Sequence, residues 1–279
     1  MSYELEQKKY WIWLSLIPTL GSIKKRKLLN VYGNPENIYY AKKNELLKIE
    51  GINEKNVDNL LAVDKKHNLN KYIERMKEHN IDIISIYDEE YPKLLKEIYD
   101  PPITMYIKGN KKILNNKSIA IVGCREASEY GKKVAKYFGY NLANENINIV
   151  SGLAKGVDSY SHIGAILAKG KTIAVVGTGL DIVYPKENYE LENKILKNNG
   201  AIISEYPLGT KPDKINFPAR NRIITGVSQG IIVVEAKAKS GTLITVDFAL
   251  EQGREVFIVP RKYRFFKFCR NKWTYKAGG

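Results

Sequence analysis

From Ser118 onward, short apolar runs alternate with amphipathic stretches. The runs are SIAIVG, INIVSG, TIAVVG, AIISE, IIVVEA and VFIVP; between them lie KKVAKYFGYNL, SYSHIGAILA, YELENKIL, RNRIITGVS and LITVDFALEQG. Uninterrupted apolar runs are strands buried on both faces, and the amphipathic stretches between them are crossover helices, so the pattern predicts a parallel α/β sheet with helices on both faces. Val134, Phe138 and Leu142 recur at i, i+4 and i+8, and Leu243, Val246 and Leu250 at i, i+3 and i+7, which marks each set as an expected core stripe. Before residue 80 the texture differs. WIWLSLIPTLGSI predicts a buried helix with its turn and HNLNKYIERMKEHN a further helix, then IDIISI, YPKLLKEI and MYIKG predict a strand, a short helix and a strand. The expected organisation is a small all-helical N-terminal domain over residues 1–80, an α/β domain over 81–260, and an atypical basic tail over 261–279.

Within the helical part, ELLKIEGINEKNVDNLL sets Leu46, Leu47 and Ile49 before a turn at Gly51 and Val57, Leu60 and Leu61 after it. This resembles a helix-hairpin-helix, which offers backbone N–H groups to a DNA phosphate. It fits a plain packing hairpin better, since Asn53 stands where the motif carries its second glycine.

Charge narrows the class of partner. There are 45 Lys and Arg against 30 Asp and Glu, a formal net charge of +15 over 279 residues. Seven of those charges sit in residues 261–279, which leaves +8 for the rest, a weaker surplus that suits a polyanionic partner or equally serves solubility. Cys124 and Cys269 are the sole cysteines, and no Cys/His cluster has metal-ligand spacing, so neither a disulfide framework nor a zinc site is expected and a reducing cytoplasm fits. The apolar run near the start is too short to span a bilayer.

The strand ends carry the candidate chemistry. Following successive strands are Gly123-Cys124-Arg125, Ser151-Gly152-Leu153-Ala154-Lys155-Gly156, Gly177-Thr178-Gly179, Glu205-Tyr206-Pro207, and Glu235 with Ser240-Gly241-Thr242. A parallel sheet brings all of these to one edge, where α/β folds bind ligands. Glycines there allow close backbone approach and helix N-termini present unpaired N–H groups, so the edge reads as a phosphate surface to which Arg125 and Lys155 add cations. Neither G-x-G-x-x-G nor G-x-x-x-x-G-K-[ST] is present. Asp158 and His162 lie four residues apart on one predicted helix, a pairing that fits a local hydrogen bond better than a catalytic triad. In KINFPARNRIITG, Lys214, Phe217, Arg220 and Arg222 fall within nine residues, cations beside an aromatic face as single-stranded nucleic acid requires. Ion pairs from the arginines to Glu205 and Glu235 are the competing reading.

These segments together resemble a known family. IAIVGCREASEYG, SHIGAILA, AVVGTGLDIVYPKEN, SEYPLGTKP, NFPARNRIITGVSQGIIVVEA and SGTLITVDFALEQGREVFIVP follow in order the signature of the DNA-processing protein A (DprA/Smf) family, densely over about residues 81–260. The resemblance implies a Rossmann-like protein that binds and protects incoming single-stranded DNA and helps load RecA recombinase in natural transformation or recombination. It further implies a homodimer, no cofactor and no catalytic activity. Carried over by position, DNA contacts fall on Gly123, Arg125, Lys155, Lys214 and Phe217. Arg220, Arg222, Glu235, Ser240, Gly241 and Thr242 match positions that brace the pocket. Two alternatives stay open. One is the lysine-decarboxylase-like nucleotide hydrolases, whose P-G-G-x-G-T-x-x-E loop SGTLIT matches only in Gly-Thr; the other is a protein-binding adaptor with little DNA affinity.

The tail departs from the family pattern after Pro260. One choice of codons for RKYRFFKFCRNKWTYKAGG, read a single base later, gives GNIDFLNSVGTNGLIKQE, which restores the Gly-Asn, Gly-Thr-Asn and Leu-Ile segments with which the family continues. The expectation is a frameshift near Arg261, with the tail's charge an accident of frame.

Overall fold

The run Ser118–Gly123 forms β3, near the middle of a sheet with the order β1-β2-β6-β5-β4-β3-β7-β8. The computed structural model describes residues 8–17, 20–66, 68–236 and 240–260; the tail 261–279 lies outside them. The strands are β1 (Asp82–Ser85), β2 (Thr104–Gly109), β3, β4 (Asn148–Ser151), β5 (Thr172–Val175), β6 (Ala201–Ser204), β7 (Gly230–Glu235) and β8 (Glu255–Ile258). β3 to β8 are mutually parallel, β2 is antiparallel to β6, and β1 is antiparallel to β2. The chain steps from β3 outward through β4 and β5 to β6, then returns to lay β7 on the other side of β3. That reversal makes β3/β7 the topological switch point, and it gathers the C-terminal ends of six strands on one edge.

Both faces are covered, as continuous apolar runs require. Ile121, Ile149, Ile232 and Val234 pack with helices α8 (Glu129–Asn144) and α9 (Val157–Leu167). On the other face Ala120, Val122, Val150, Ile173, Val175, Ile231 and Val233 share a core with Ile223 and Ile224 of α11 (Asn216–Gly226) and Ala249 of α12 (Gly241–Glu251). A third cluster joins the N-terminal helices α1 (Lys9–Ser15), α2 (Ser22–Tyr32), α3 (Pro35–Tyr40), α4 (Lys43–Leu46), α5 (Glu54–Lys66) and α6 (Leu69–Glu78) to the sheet. Trp13, Leu28, Ile38, Leu46, Ile73 and Met76 pack in one cluster with Tyr106 of β2, Ile202 of β6, and Leu191 and Ile195 of α10 (Tyr189–Lys197). The change from helices to strands falls between Glu78 and Asp82, yet one apolar cluster runs across it. Polar contacts cross as well. Ser15 Oγ lies 2.5 Å from Tyr106 Oη, Tyr72 Oη donates to Tyr106 Oη at 3.3 Å and accepts from the Leu208 N–H at 2.7 Å, and Arg75 pairs with Asp181 at 2.5 Å.

Three expectations are corrected. The closest face of α8 is not the Val134/Phe138/Leu142 stripe, which is partly buried, but Gly131, Ala135, Gly139 and Ala143. A Cβ at Gly139 or Gly164 would overlap a backbone carbonyl of the other helix, Ser161 or Lys136, so α8 and α9 meet backbone to backbone. In α12 the buried residues are Thr242, Thr245 and Ala249, while Leu250 is 58% exposed. Apolar residues surround α12 on all sides, so periodicity cannot select its inner face. Finally, α11 starts at Asn216 and takes Phe217 and Pro218 into its first turn, where proline's missing N–H has no helical partner to lose.

His162 is fully buried in α9 and does not bond Asp158. Its Nδ1 lies 2.7 Å from Thr172 Oγ1, and that hydroxyl spends its proton on the Ile149 carbonyl, so Nδ1 carries the proton and donates. Nε2 has no partner among the described residues. Burial, with a smaller contribution from Arg220, pushes the imidazole pKa down to about 3. An unfolded histidine titrates near pH 6.5, so below that pH the unfolded chain takes up a proton that the folded chain refuses. Stability should be complete above pH ~6.5 and fall by about 1.4 kcal/mol per unit between roughly pH 6 and 4. Urea titrations at several pH values should show this slope, reduced in His162→Asn; equal slopes would remove His162 as its source. Gly139→Ala should lower the unfolding free energy by about 1–3 kcal/mol through overpacking, and an unchanged urea midpoint would mean that α8 and α9 separate without cost.

Candidate nucleic-acid interface

The turn after β4 is shaped from its own residues. Asp158, buried at the start of α9, accepts from the N–H groups of Gly152 at 3.1 Å and Ala154 at 3.3 Å, and Asn188 Nδ2 donates to the Leu153 carbonyl at 2.7 Å. Gly156 takes φ +78°, a conformation that favours glycine, and brings the turn against the carbonyls of Cys124 and Arg125. Gly152 has no room for a Cβ, which would lie 2.7 Å from both Arg220 Nη2 and Asp158 Oδ2. Lys155 is thereby lifted to the rim beside Arg125.

Beneath it lies Arg220, 4% exposed, which α11 sends under the strand ends. Its Nη1 donates to the Gly152 carbonyl at 2.9 Å and to the Val175 carbonyl, and its Nε donates to Asn221 Oδ1 at 3.2 Å. Burial lowers its pKa to about 10 against the opposing pull of Asp158, so it stays charged at neutral pH. Burial likewise raises the Asp158 carboxyl, with Arg220 opposing.

Above Arg220 stands an aromatic pair. Phe217 and Tyr184 stack with centroids 5.4 Å apart and planes 25° apart, and the Arg125 guanidinium carbon lies 5.3 Å from the Phe217 centroid, a cation–π contact. Arg125, Gly152, Ala154, Lys155, Tyr184, Pro185, Phe217 and Arg220 line a cleft of about 130 Å³. Three of the eight are cations, and no acid is among them. Lys155 reaches out to Glu187 at 2.5 Å, with both side chains more than half exposed. Among the described residues no group of three or more His, Cys, Asp or Glu is placed to hold a metal ion.

The structure thus brings Arg125, Lys155, Phe217 and Arg220 together. Lys214 stands exposed ahead of α11 and does not line the cleft. Gly123 closes β3 from below, where a Cβ would approach the Glu235 carbonyl to 2.9 Å. Arg222 points elsewhere, pairing with Glu205 at 2.7 Å and Asp100 at 2.8 Å. Burial alone would lower its pKa, and the two carboxylates together carry it above the usual guanidinium value. The Glu235 carboxylate accepts the Ser128 N–H at 2.9 Å and its carbonyl the Cys124 N–H at 2.7 Å, which fixes the β3–α8 turn. Ser240, Gly241 and Thr242 open α12, joined to α11 through Asn221, which donates to the Gly241 carbonyl at 3.4 Å and Thr245 Oγ1 at 2.9 Å. Sequence reasoning missed Tyr184 and Glu187. Their signal was their place in the loop after β5, on the same edge as the glycine turns.

Comparison with known proteins gives the family of the chain. The family model for DNA recombination-mediator protein A matches residues 82–276. The chain is 47% identical over 185 residues to the DNA processing protein DprA of Bacillus subtilis, covering 66% of this chain and 62% of that protein. Against protein Smf of Synechocystis the identity is 36% over 260 residues, covering 91% and 65%. The matches therefore span a little under two thirds of these relatives' length. The X-ray structure of DNA processing protein A from Streptococcus pneumoniae superposes with a TM-score of 0.80 at 37% identity, covering 92% of this chain and 88% of that one. A Helicobacter pylori DNA processing protein A, in a structure described by its single-stranded DNA binding mode, gives a TM-score of 0.60 at 31% identity over 66% and 82% of the two chains. A mostly parallel Rossmann-like sheet with this cleft at its strand ends, and a family match over most of its length, place the chain in the DNA recombination-mediator protein A family.

Proposed function

We propose that the protein binds single-stranded DNA at the cleft, protects it, and helps load RecA recombinase onto it, without catalysing a reaction. The observation that carries this reading is the meeting of Arg125, Lys155 and Arg220 with the Phe217–Tyr184 stack. Cations hold phosphates while aromatic faces receive unstacked bases, at about 1–3 kcal/mol per base. A duplex keeps its bases stacked and out of reach, so single strands bind more tightly. The relative from Helicobacter pylori, described by its single-stranded DNA binding, supports the same use of the fold. A homodimer is part of the proposal, supported by Phe257 and Ile258 of β8 and Leu250 of α12, which leave apolar surface at 54%, 70% and 58% exposure. Among the described residues no helix is long and apolar enough to cross a membrane, and a cytoplasmic setting belongs to the same reading.

With about four phosphates engaged, log affinity for an oligonucleotide should fall against log salt with a slope near 3. The Arg125→Ala/Lys155→Ala double variant should flatten that slope by about one or two; an unaltered slope would move the contact surface elsewhere. Glu187 competes with phosphate for Lys155 through an exposed, solvent-screened pair. Glu187→Gln should therefore tighten oligonucleotide binding by about one and a half- to fivefold at low salt. Equal or weaker binding by Glu187→Gln in a fluorescence-anisotropy titration would show that the carboxylate does not guard the site.

A further inference from the structure

The outer face of α8 is exposed, and its composition is specific. Lys132, Lys136 and Tyr140 form one row at i, i+4 and i+8, with Lys133 and Tyr137 beside it, so that the five share an arc of the helix. Lys133, Lys136, Tyr137 and Tyr140 are exposed, the tyrosines at 63% and 44%. Glu129 is the sole acid in the helix, and it is paired with Lys132 at 2.7 Å. Among the described residues Lys133 and Lys136 make no ion pair, and neither tyrosine hydroxyl has a hydrogen-bond partner. The Lys132 ammonium also lies 5.8 Å from the centre of the Tyr160 ring on α9.

Its position completes the case. Lys132 and Tyr160 stand in the first turns of α8 and α9, helices that begin four residues after Arg125 and two after Lys155. The stripe therefore starts on the sheet edge that carries the cleft and runs about 12 Å along the helix, from Lys132 to Tyr140, at ~1.5 Å per residue. Cations interleaved with exposed aromatic rings, with Glu129 the one acid of the helix and already paired, match a single strand in both charge and stacking.

We propose that this face of α8 is a second contact track for single-stranded DNA, which carries a strand away from the cleft. The proposal rests on the cleft being a strand-binding site. It makes affinity depend on length: a short oligonucleotide fills the cleft alone, and a longer one engages the track as well.

The test compares the full chain, the Lys132→Ala/Lys133→Ala/Lys136→Ala variant and a Tyr137→Ala/Tyr140→Ala variant on thymidine oligonucleotides of about 6 and about 20 nucleotides, sizes that bracket one site of ~4–16 nucleotides. The lysine variant should bind the short oligonucleotide like the parent, but lose about tenfold on the long one, with a salt slope lower by about two for three lost phosphate contacts. The tyrosine variant should weaken long-strand binding at constant slope. No loss at either length, or the same fractional loss at both, would overturn the track. Displacement of the long oligonucleotide by poly-glutamate of matched charge, in the parent but not in the lysine variant, would assign the face to an acidic protein and overturn it equally. The cleft is scored apart from the track, because Arg125→Ala/Lys155→Ala must weaken the short oligonucleotide. If it does not, the cleft reading has failed rather than the track.

Discussion

The site depends on one buried cation. Arg220 is held under the strand ends by the carbonyls of Gly152 and Val175, which ties the ends of β4 and β5 to the first turns of α11. A buried guanidinium with neutral acceptors keeps its field for whatever enters from above, and Asp158 offsets only part of it while folding the turn that lifts Lys155. The glycines follow from this. Gly152 leaves room for the guanidinium, and Gly156 lets the turn lie against the β3 loop that carries Arg125. On the proposed reading, a phosphate entering the cleft would meet a buried charge below and mobile charges at the rim. Water screens the rim cations far more than the one beneath them.

The aromatic half of the site is held from a distance. Tyr184 comes from the loop after β5, and Phe217 follows the loop after β6. Asp181 joins the two loops by accepting the Gly209 N–H at 2.8 Å, and Arg75 of α6 pairs with the same carboxylate. Tyr72 adds a bond to the Leu208 N–H. The helical region therefore does more than cover the apolar end of the sheet. It pins the two segments whose relative placement sets the Phe217–Tyr184 stack.

Much of this was legible from one strand of text. Continuous apolar runs forced a parallel sheet, and the parallel sheet forced the glycine turns, Arg125 and Lys155 onto one edge. What could not be read was direction within a helix that is apolar all round, as in α12, or closeness between helices that meet through glycine, as in α8 and α9. The competition among nearby polar groups was equally hidden. His162 took Thr172 rather than Asp158, Arg222 took Glu205 and Asp100 away from the cleft, and Lys214 stayed in solvent. Each outcome turns on which groups the fold brings within hydrogen-bond range, which sequence distance does not rank.

The sequence by itself determined the alternation of strand and helix, the edge on which function sits, and the surplus of positive charge there, because periodicity and topology follow from burial alone. The tertiary structure decided which cations share a cleft, that Arg220 lies beneath it, and that Tyr184 joins Phe217 from a separate loop. It also decided that Lys133, Lys136, Tyr137 and Tyr140 of α8 face solvent. Hydrogen bonds and ring contacts act over a few ångströms, so only the folded chain, which brings residues 125, 155, 184, 217 and 220 within that range, could choose among them.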